Sequence, residues 1–140
     1  MEIRTRHWGV QEVAEDRVIR FPEGIPGFPN CQRFVLLGEE GSAFLWLQAV
    51  DDPEVALPVA DPFSLFPGYE VPLEEEDAEI LRISDPRDVA VLVVVTVRTN
   101  PLWATANLAA PILINTASRT GRQKILAGPE YAVRHPLVFR

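Results

Sequence analysis

Few residues in this chain are of types that make or break bonds, and their spacing suits that work poorly. The histidines, His7 and His135, stand near opposite ends of the sequence. They could meet over a metal only if the terminal strands pair, and no third ligand is specified, so two surface or half-buried imidazoles are the better reading. Cys31 is the single cysteine. It cannot form an intrachain disulfide or hold a structural zinc alone, and no spacing supplies a base to depress its pKa, so a buried or incidental thiol is expected. Asp51-Asp52-Pro53-Glu54 puts three carboxylates in four residues. Crowded carboxylates in an acidic stretch usually stay solvated, and the alternating spacing of a calcium loop is absent. Gly24-Ile25-Pro26-Gly27 could suggest a phosphate loop, but Pro22 and Pro26 remove amide donors and no Gly-Lys-Ser/Thr follows, which leaves a turn. No cofactor or metal is called for, and an enzyme has little support.

The charges say more. The net charge is -7, which argues against adhesion of the whole molecule to nucleic acid or anionic lipid. Arg119, Arg122 and Lys124 could touch phosphates, but three cations in an acidic protein give weak, strongly salt-dependent binding, so no direct nucleic-acid partner and no membrane are expected. The average hides a division along the chain. From Phe34 to Leu81 there are twelve acidic residues and no Lys or Arg, whereas from Val89 to Arg140 six basic residues face Glu130 alone. Twelve carboxylates without an internal cation must be solvated, meet the basic C-terminal half, or face an external basic partner. RNA-binding proteins are an obvious class of such partners.

The elements that would hold these groups are short. A chain of 140 residues with 47% apolar content is one domain with one core, and the whole of 1–140 is expected to fold as a unit. Its start has no apolar run of the secretory kind, and the most apolar stretch, Val89 to Val97, is nine residues where a membrane span needs about 20. A soluble cytoplasmic protein is expected. Thirteen prolines and eight glycines leave little room for long helices, and the Val, Ile, Leu, Phe and Trp runs between them have the pattern of an all-β sandwich or barrel. Strands are predicted near Glu2 to His7, Arg17 to Phe21, Arg33 to Leu37, Ala43 to Val50, Val55 to Val59, Tyr69 to Val71, Asp88 to Arg98, Trp103 to Asn115 and Arg122 to Leu126. Val89 to Val97, apolar on both faces, should be a central strand covered on each side. Pro58 removes an amide donor in the middle of its strand, so that strand should lie at an edge or be bulged.

One helix is predicted, from about Leu73 to Leu81, with Glu74, Glu75, Glu76 and Asp77 in the first turn, where the backbone dipole favours negative charge. Leu73, Ala78 and Leu81 could share its buried stripe. Asp52-Pro53, Asp61-Pro62 and Asp85-Pro86 each place a side-chain acceptor before a residue of fixed φ, which suits a turn or a helix start. Arg119-Thr120-Gly121-Arg122 should turn a hairpin, with Gly121 taking a positive φ.

Phe21-Pro22-Glu23-Gly24-Ile25-Pro26-Gly27-Phe28 resembles the FliW family of bacterial flagellar assembly factors. The resemblance continues through Phe34-Val35-Leu36-Leu37, Trp46-Leu47-Gln48, Asp52-Pro53-Glu54, Asp61-Pro62-Phe63 and Asp88-Val89-Ala90-Val91-Leu92. It resumes over Thr105 to Asn115 and ends near Arg134-His135-Pro136, in one order and over almost the whole chain. It implies an antiparallel β-barrel and a binding protein, not an enzyme. It also implies two partners that exclude each other: CsrA, a dimeric repressor of flagellin mRNA translation, and flagellin itself. A flagellin-binding chaperone without significant CsrA antagonism is the alternative reading.

Joined to the charge pattern, the resemblance places the expected CsrA contact on the acidic stretch, at Asp51, Asp52, Glu54, Asp61, Glu70, Glu74 and Glu75, with Phe63 as an apolar anchor. Pro22, Gly24, Pro26 and Gly27 are expected to fix a loop, and Asn107 and Asn115 to satisfy buried or turn amides.

Overall fold

The computed structural model describes residues 1–39, 41–42, 44–98, 103–128 and 131–137. Ala43, where one expected strand begins, and Glu40, Glu130 and Arg140 of the charge count lie outside them. In chain order the strands are β1 (Glu2–Arg4), β2 (Val10–Glu12), β3 (Ile19–Arg20), β4 (Arg33–Leu37), β5 (Leu45–Ala49) and β6 (Ala56–Ala60). Two short helices follow, α1 (Pro62–Leu65) and α2 (Glu75–Leu81). Then come β7 (Val89–Arg98), β8 (Trp103–Ala106), β9 (Ile112–Asn115), β10 (Thr120–Gln123) and β11 (His135–Leu137). The all-β expectation holds.

The strands close on themselves because β7 is long enough to serve three neighbours. Val89 to Leu92 pair with β9, Val93 and Val94 with β6, and Val95 to Arg98 with β8. The ring runs β7, β6, β5, β4, β3, β10, β9 and back to β7, antiparallel except at the contact of β3 with β10. Closure removes the free edges that an open sheet of these strands would expose. Beyond the ring, β8 and β11 extend from the far half of β7 as a wing.

Inward-facing residues fill the barrel. Ile19, Phe21, Phe34, Leu47, Val59 and Ile112 have no exposed surface, and the rings of Phe21 and Phe34 meet edge to face at 5.2 Å. A second cluster, Val93, Val95, Ala104, Ala106 and Leu108, lies under the wing and is covered by Phe44, Phe66 and Tyr69. Full burial of a side chain the size of Leu or Phe contributes about 1.5–3 kcal/mol, so these two clusters carry most of the driving force.

Several local expectations needed correction. Trp103 to Asn115 is two strands, not one, because Asn107 turns the chain: its Oδ1 accepts the Ala109 amide at 3.1 Å. Tyr69 to Val71 is not a strand; Tyr69 instead donates its hydroxyl to the Leu108 carbonyl at 2.7 Å, which fixes a loop. β7 is covered only along its first two thirds, since Thr96, Val97 and Arg98 are exposed. The strand with Pro58 is interior in the ring, yet its ladder with β7 starts only at Val59, so the missing donor falls where that ladder has not begun.

The hairpin joining β9 to β10 forms, but the left-handed residue is Arg119, at φ 56°, while Gly121 lies within β10. Gly121 is required for space, not for its torsion. A Cβ there would stand 2.5–2.8 Å from three ring carbons of fully buried Phe21. Gly121→Ala should therefore destabilise the fold by about 1–3 kcal/mol, read as a lower urea midpoint at unchanged slope.

The three Asp-Pro pairs behave alike. Asp52, Asp61 and Asp85 each accept the amide two residues on, from Glu54, Phe63 and Arg87, at 3.0, 2.9 and 2.9 Å. Asp61 thereby caps α1 with Pro62 in its first turn, and Asp85 caps a 3₁₀ turn at Pro86–Asp88. Gly24 and Gly27 hold the expected loop at φ 70° and 92°.

Candidate functional site

The acidic residues singled out from the sequence occupy two ends of one strand. Asp51, Asp52 and Glu54 sit in the loop that joins β5 to β6, whereas Asp61, Phe63 and Glu70 follow the other end of β6. Five residues of strand span roughly 16 Å. Glu74 and Glu75 open α2, further along the same side of the sequence.

The loop after β5 is built from within. Gln48, 1% exposed, donates Nε2 to the carbonyls of Ala49 and Val55 at 3.0 and 3.2 Å and accepts the Arg6 amide on Oε1 at 3.0 Å. One side chain thus ties the loop to the N-terminal segment, whose His7 ring packs on Trp46 at 4.1 Å. Asp51 is taken by Arg33 through Nε and Nη2, and Asp52 shapes the turn. Glu54 alone of the three keeps a carboxylate with no partner among the described residues. Cys31 is buried, and burial, with Asp52 and Asp51 nearby, pushes its thiol pKa up, the wrong direction for a nucleophile.

At the α2 end an ion-pair network appears that local sequence patterns did not reveal. Asp77, 1% exposed, accepts from Lys124 Nζ, from Arg122 Nη1 at 2.6 Å and from the Glu74 amide at 2.8 Å. Lys124, 7% exposed, also meets Glu74 at 2.9 Å and the Pro72 carbonyl at 2.7 Å. Arg122 reaches Glu23 at 3.0 Å and Glu76 at 3.3 Å. Burial alone would raise the Asp77 pKa, but the bonds from Lys124 and Glu74 and the charges of Lys124 and Arg122 outweigh it and hold the carboxyl below its ordinary value. The alternation of charge along the chain is therefore partly internal, since the basic half neutralises Glu74, Glu76 and Asp77. The only legible signal was that reversal of sign, which names no pairs.

Between β6 and α2, Asp61 is spent capping α1 and Glu74 is held by Lys124, but other side chains of the segment remain exposed. Phe63 is 48% exposed and Leu65 and Leu73 are each 40% exposed. Tyr69 packs between Phe63 and Tyr131, at 6.0 and 6.1 Å between ring centroids, and Tyr131 donates its hydroxyl to the Glu70 carbonyl at 3.2 Å. Burial, with a smaller contribution from Tyr131, pushes the Tyr69 phenol up to about 12, so it stays a donor. The carboxylates of Glu70 and Glu75 are exposed and have no partner among the described residues. Exposed apolar side chains beside unneutralised carboxylates can accept a partner that is apolar at its centre and basic around it.

His135, on β11, packs against Phe66 at 4.5 Å, whereas His7 lies in the loop between β1 and β2; β1 pairs with β2 and β11 with β8, so the terminal strands do not pair with each other. Among the described residues no helix is long and apolar enough to cross a membrane.

Residues 2–137 match the family model described as FliW protein. The chain is 44% identical over 139 residues to the flagellar assembly factor FliW of Moorella thermoacetica, covering 98% of this chain and 88% of that protein. It is 42% identical over 137 residues to the flagellar assembly factor FliW of Geobacillus kaustophilus, covering 98% and 95%. A crystal structure of the flagellar assembly factor FliW superposes with a TM-score of 0.91 at 39% identity, covering 100% of this chain and 99% of that one.

Proposed function

The chain belongs to the FliW family, and on that premise we propose that it acts in flagellar assembly by protein–protein contact. It binds CsrA and flagellin in complexes that exclude each other. While cytoplasmic flagellin is scarce it holds CsrA and relieves repression of flagellin mRNA translation; when flagellin accumulates, flagellin captures it and repression returns. No cofactor and no direct contact with nucleic acid enter the scheme.

The observation that supports this reading is the segment from Asp61 to Glu75, which exposes Phe63, Leu65 and Leu73 together with the carboxylates of Glu70 and Glu75, neither of them paired among the described residues. CsrA binds an RNA backbone, so its surface is basic. A carboxylate face docked near that surface attracts the protein and repels phosphates within the screening distance of about 8 Å at physiological salt. RNA is then displaced without every RNA contact having to be covered.

Isothermal titration against CsrA and flagellin separately, then in competition, tests the scheme. Each partner should bind alone, binding to CsrA should weaken as salt rises, and saturating flagellin should release CsrA. A ternary complex holding both partners would overturn the exclusion. Flagellin binding with no detectable CsrA binding at either low or high salt would instead assign a flagellin chaperone.

A further inference from the structure

On the side of the barrel formed by β4, β3 and β10 the charge pattern runs against the net -7 of the chain. Arg20 on β3 stands directly opposite Arg33 on β4. Residues so paired share one face of a sheet with Cβ atoms about 5 Å apart, where like charges repel. On the other flank Arg20 pairs with Thr120, and its amide donates to the carbonyl of the preceding Arg119 at 2.9 Å. The three arginines line one cavity of about 370 Å³ together with Met1, Glu15 and Val18.

Asp51 neutralises Arg33, but no carboxylate among the described residues neutralises Arg20 or Arg119. The Met1 ammonium is taken by Glu12 at 2.9 Å, and Asp51 is engaged by Arg33. Arg119 donates Nη2 to the Arg17 carbonyl at 2.6 Å, which fixes its guanidinium but leaves the charge uncompensated, and its Nε is buried without a hydrogen-bond partner. Neither Arg20 nor Arg119 forms an ion pair among the described residues. Among the described residues Glu15 is the one carboxylate on the lining, and it pairs with neither. Arg20 and Arg33 also line an adjoining cleft of about 290 Å³ with Asn30 and Gln32.

We propose that this cavity is an oxyanion-binding site, in which a phosphate or carboxylate group is held by Arg20 and Arg119 beside Arg33. Guanidinium groups present planar, paired donors that suit such anions, and a seated anion compensates the charges of Arg20 and Arg119, which meet no carboxylate among the described residues. No aromatic ring among the described residues lines the cavity, so a nucleobase would find none of them to stack on and the recognised group is the oxyanion itself. It arrives free in solution or on the side chains of an acidic peptide.

The test is thermal unfolding and isothermal titration of the whole chain at matched ionic strength, with inorganic phosphate, an acetylated and amidated tetraglutamate peptide, and chloride as control. At least one of the two oxyanion probes should bind and raise Tm where chloride does not. Arg20→Gln, at an exposed position, should fold normally and weaken binding about tenfold or more, the loss expected for a charge-assisted bond. Arg119→Gln should weaken binding likewise; should it fail to fold, Arg20→Gln decides alone. Binding of phosphate only assigns a free anion, and binding of the peptide only assigns a carboxylate carried on a polypeptide. Failure of both probes, or binding that Arg20→Gln leaves unchanged, overturns the site.

Discussion

Asp77→Asn should cost the folded chain about 3–5 kcal/mol, the range for removing one partner of a buried ion pair. Total stability of a domain this size is about 5–15 kcal/mol, so this one change approaches the limit of folding. The loss is large because Lys124 and Arg122, 7% exposed and 15% exposed at their side chains, would lose the carboxylate on which both converge. Neutral Asn offers one acceptor where Asp77 accepts three bonds. Replacing the pair together, Asp77→Leu with Lys124→Met, should recover most of that loss, because Arg122 keeps Glu23 and Glu76 and no buried charge is left alone. Urea unfolding at neutral pH measures both. A double variant as unstable as Asp77→Asn would show that geometry, not uncompensated charge, sets the cost.

The pH dependence of the same network has a fixed sign. Asp77 is held below its ordinary 3.8, so its contribution is complete above that value and is lost as pH falls through the lower folded pKa. For Lys124, burial lowers the pKa, but the bonds it donates to Asp77 and Glu74, with the charges of both, outweigh that and raise it above the ordinary 10.5. Its contribution is complete below that value and is lost as pH rises through the higher folded pKa. Stability from this network should therefore be flat between the two limits and fall outside them, and the flat region should lose its height in Asp77→Asn.

The second large effect concerns the docking segment. Phe63→Ala should weaken CsrA binding by about thirtyfold, corresponding to about 2 kcal/mol for an apolar anchor near the centre of an interface. Glu70→Lys with Glu75→Lys should weaken it further at low salt and less at high salt, as exposed charges do. Glu70 isolates the effect because its carboxylate has no partner among the described residues, whereas Glu75 also stands in the first turn of α2, where the backbone dipole favours negative charge. The loop after β5 is less clean. Reversing Asp51 frees Arg33, and reversing Asp52 removes the acceptor of the Glu54 amide, so Glu54→Lys is the informative change there. Comparing Glu54→Lys with the Phe63, Glu70 and Glu75 variants assigns the contact to one end of β6 or to both. Unchanged affinity in all of them, at low and high salt, would sink the proposed site.

Phe63 and the Asp-Pro pairs show how far local reading goes. A side-chain acceptor before a residue of fixed φ is a complete instruction, requiring nothing beyond its neighbours, and all three pairs obey it. The helix start at Glu74 was legible for the same reason, since acidic residues at a helix N-terminus answer a field generated within one turn. The helix interior was not. Its buried stripe contains Asp77, 1% exposed, while Leu73 ahead of the helix is 40% exposed, because the surface it packs on carries Arg122 and Lys124 in place of an apolar floor.

By itself, the sequence determined the all-β class, most of the strand positions, the turns and the segregation of charge, and its ordered motifs matched one family along nearly their full length. These are properties of adjacent residues, governed by alternation, fixed torsions and reach along the backbone. Tertiary structure alone decided that β7 closes the ring and that Gly121 makes room for Phe21. It also decided that Lys124 neutralises acids 47 and 50 positions away, and that arginines from β3, β4 and the turn before β10 meet around one cavity. Electrostatic pairing depends on distance in space, and chain order does not specify which carboxylate a barrel will bring against which cation.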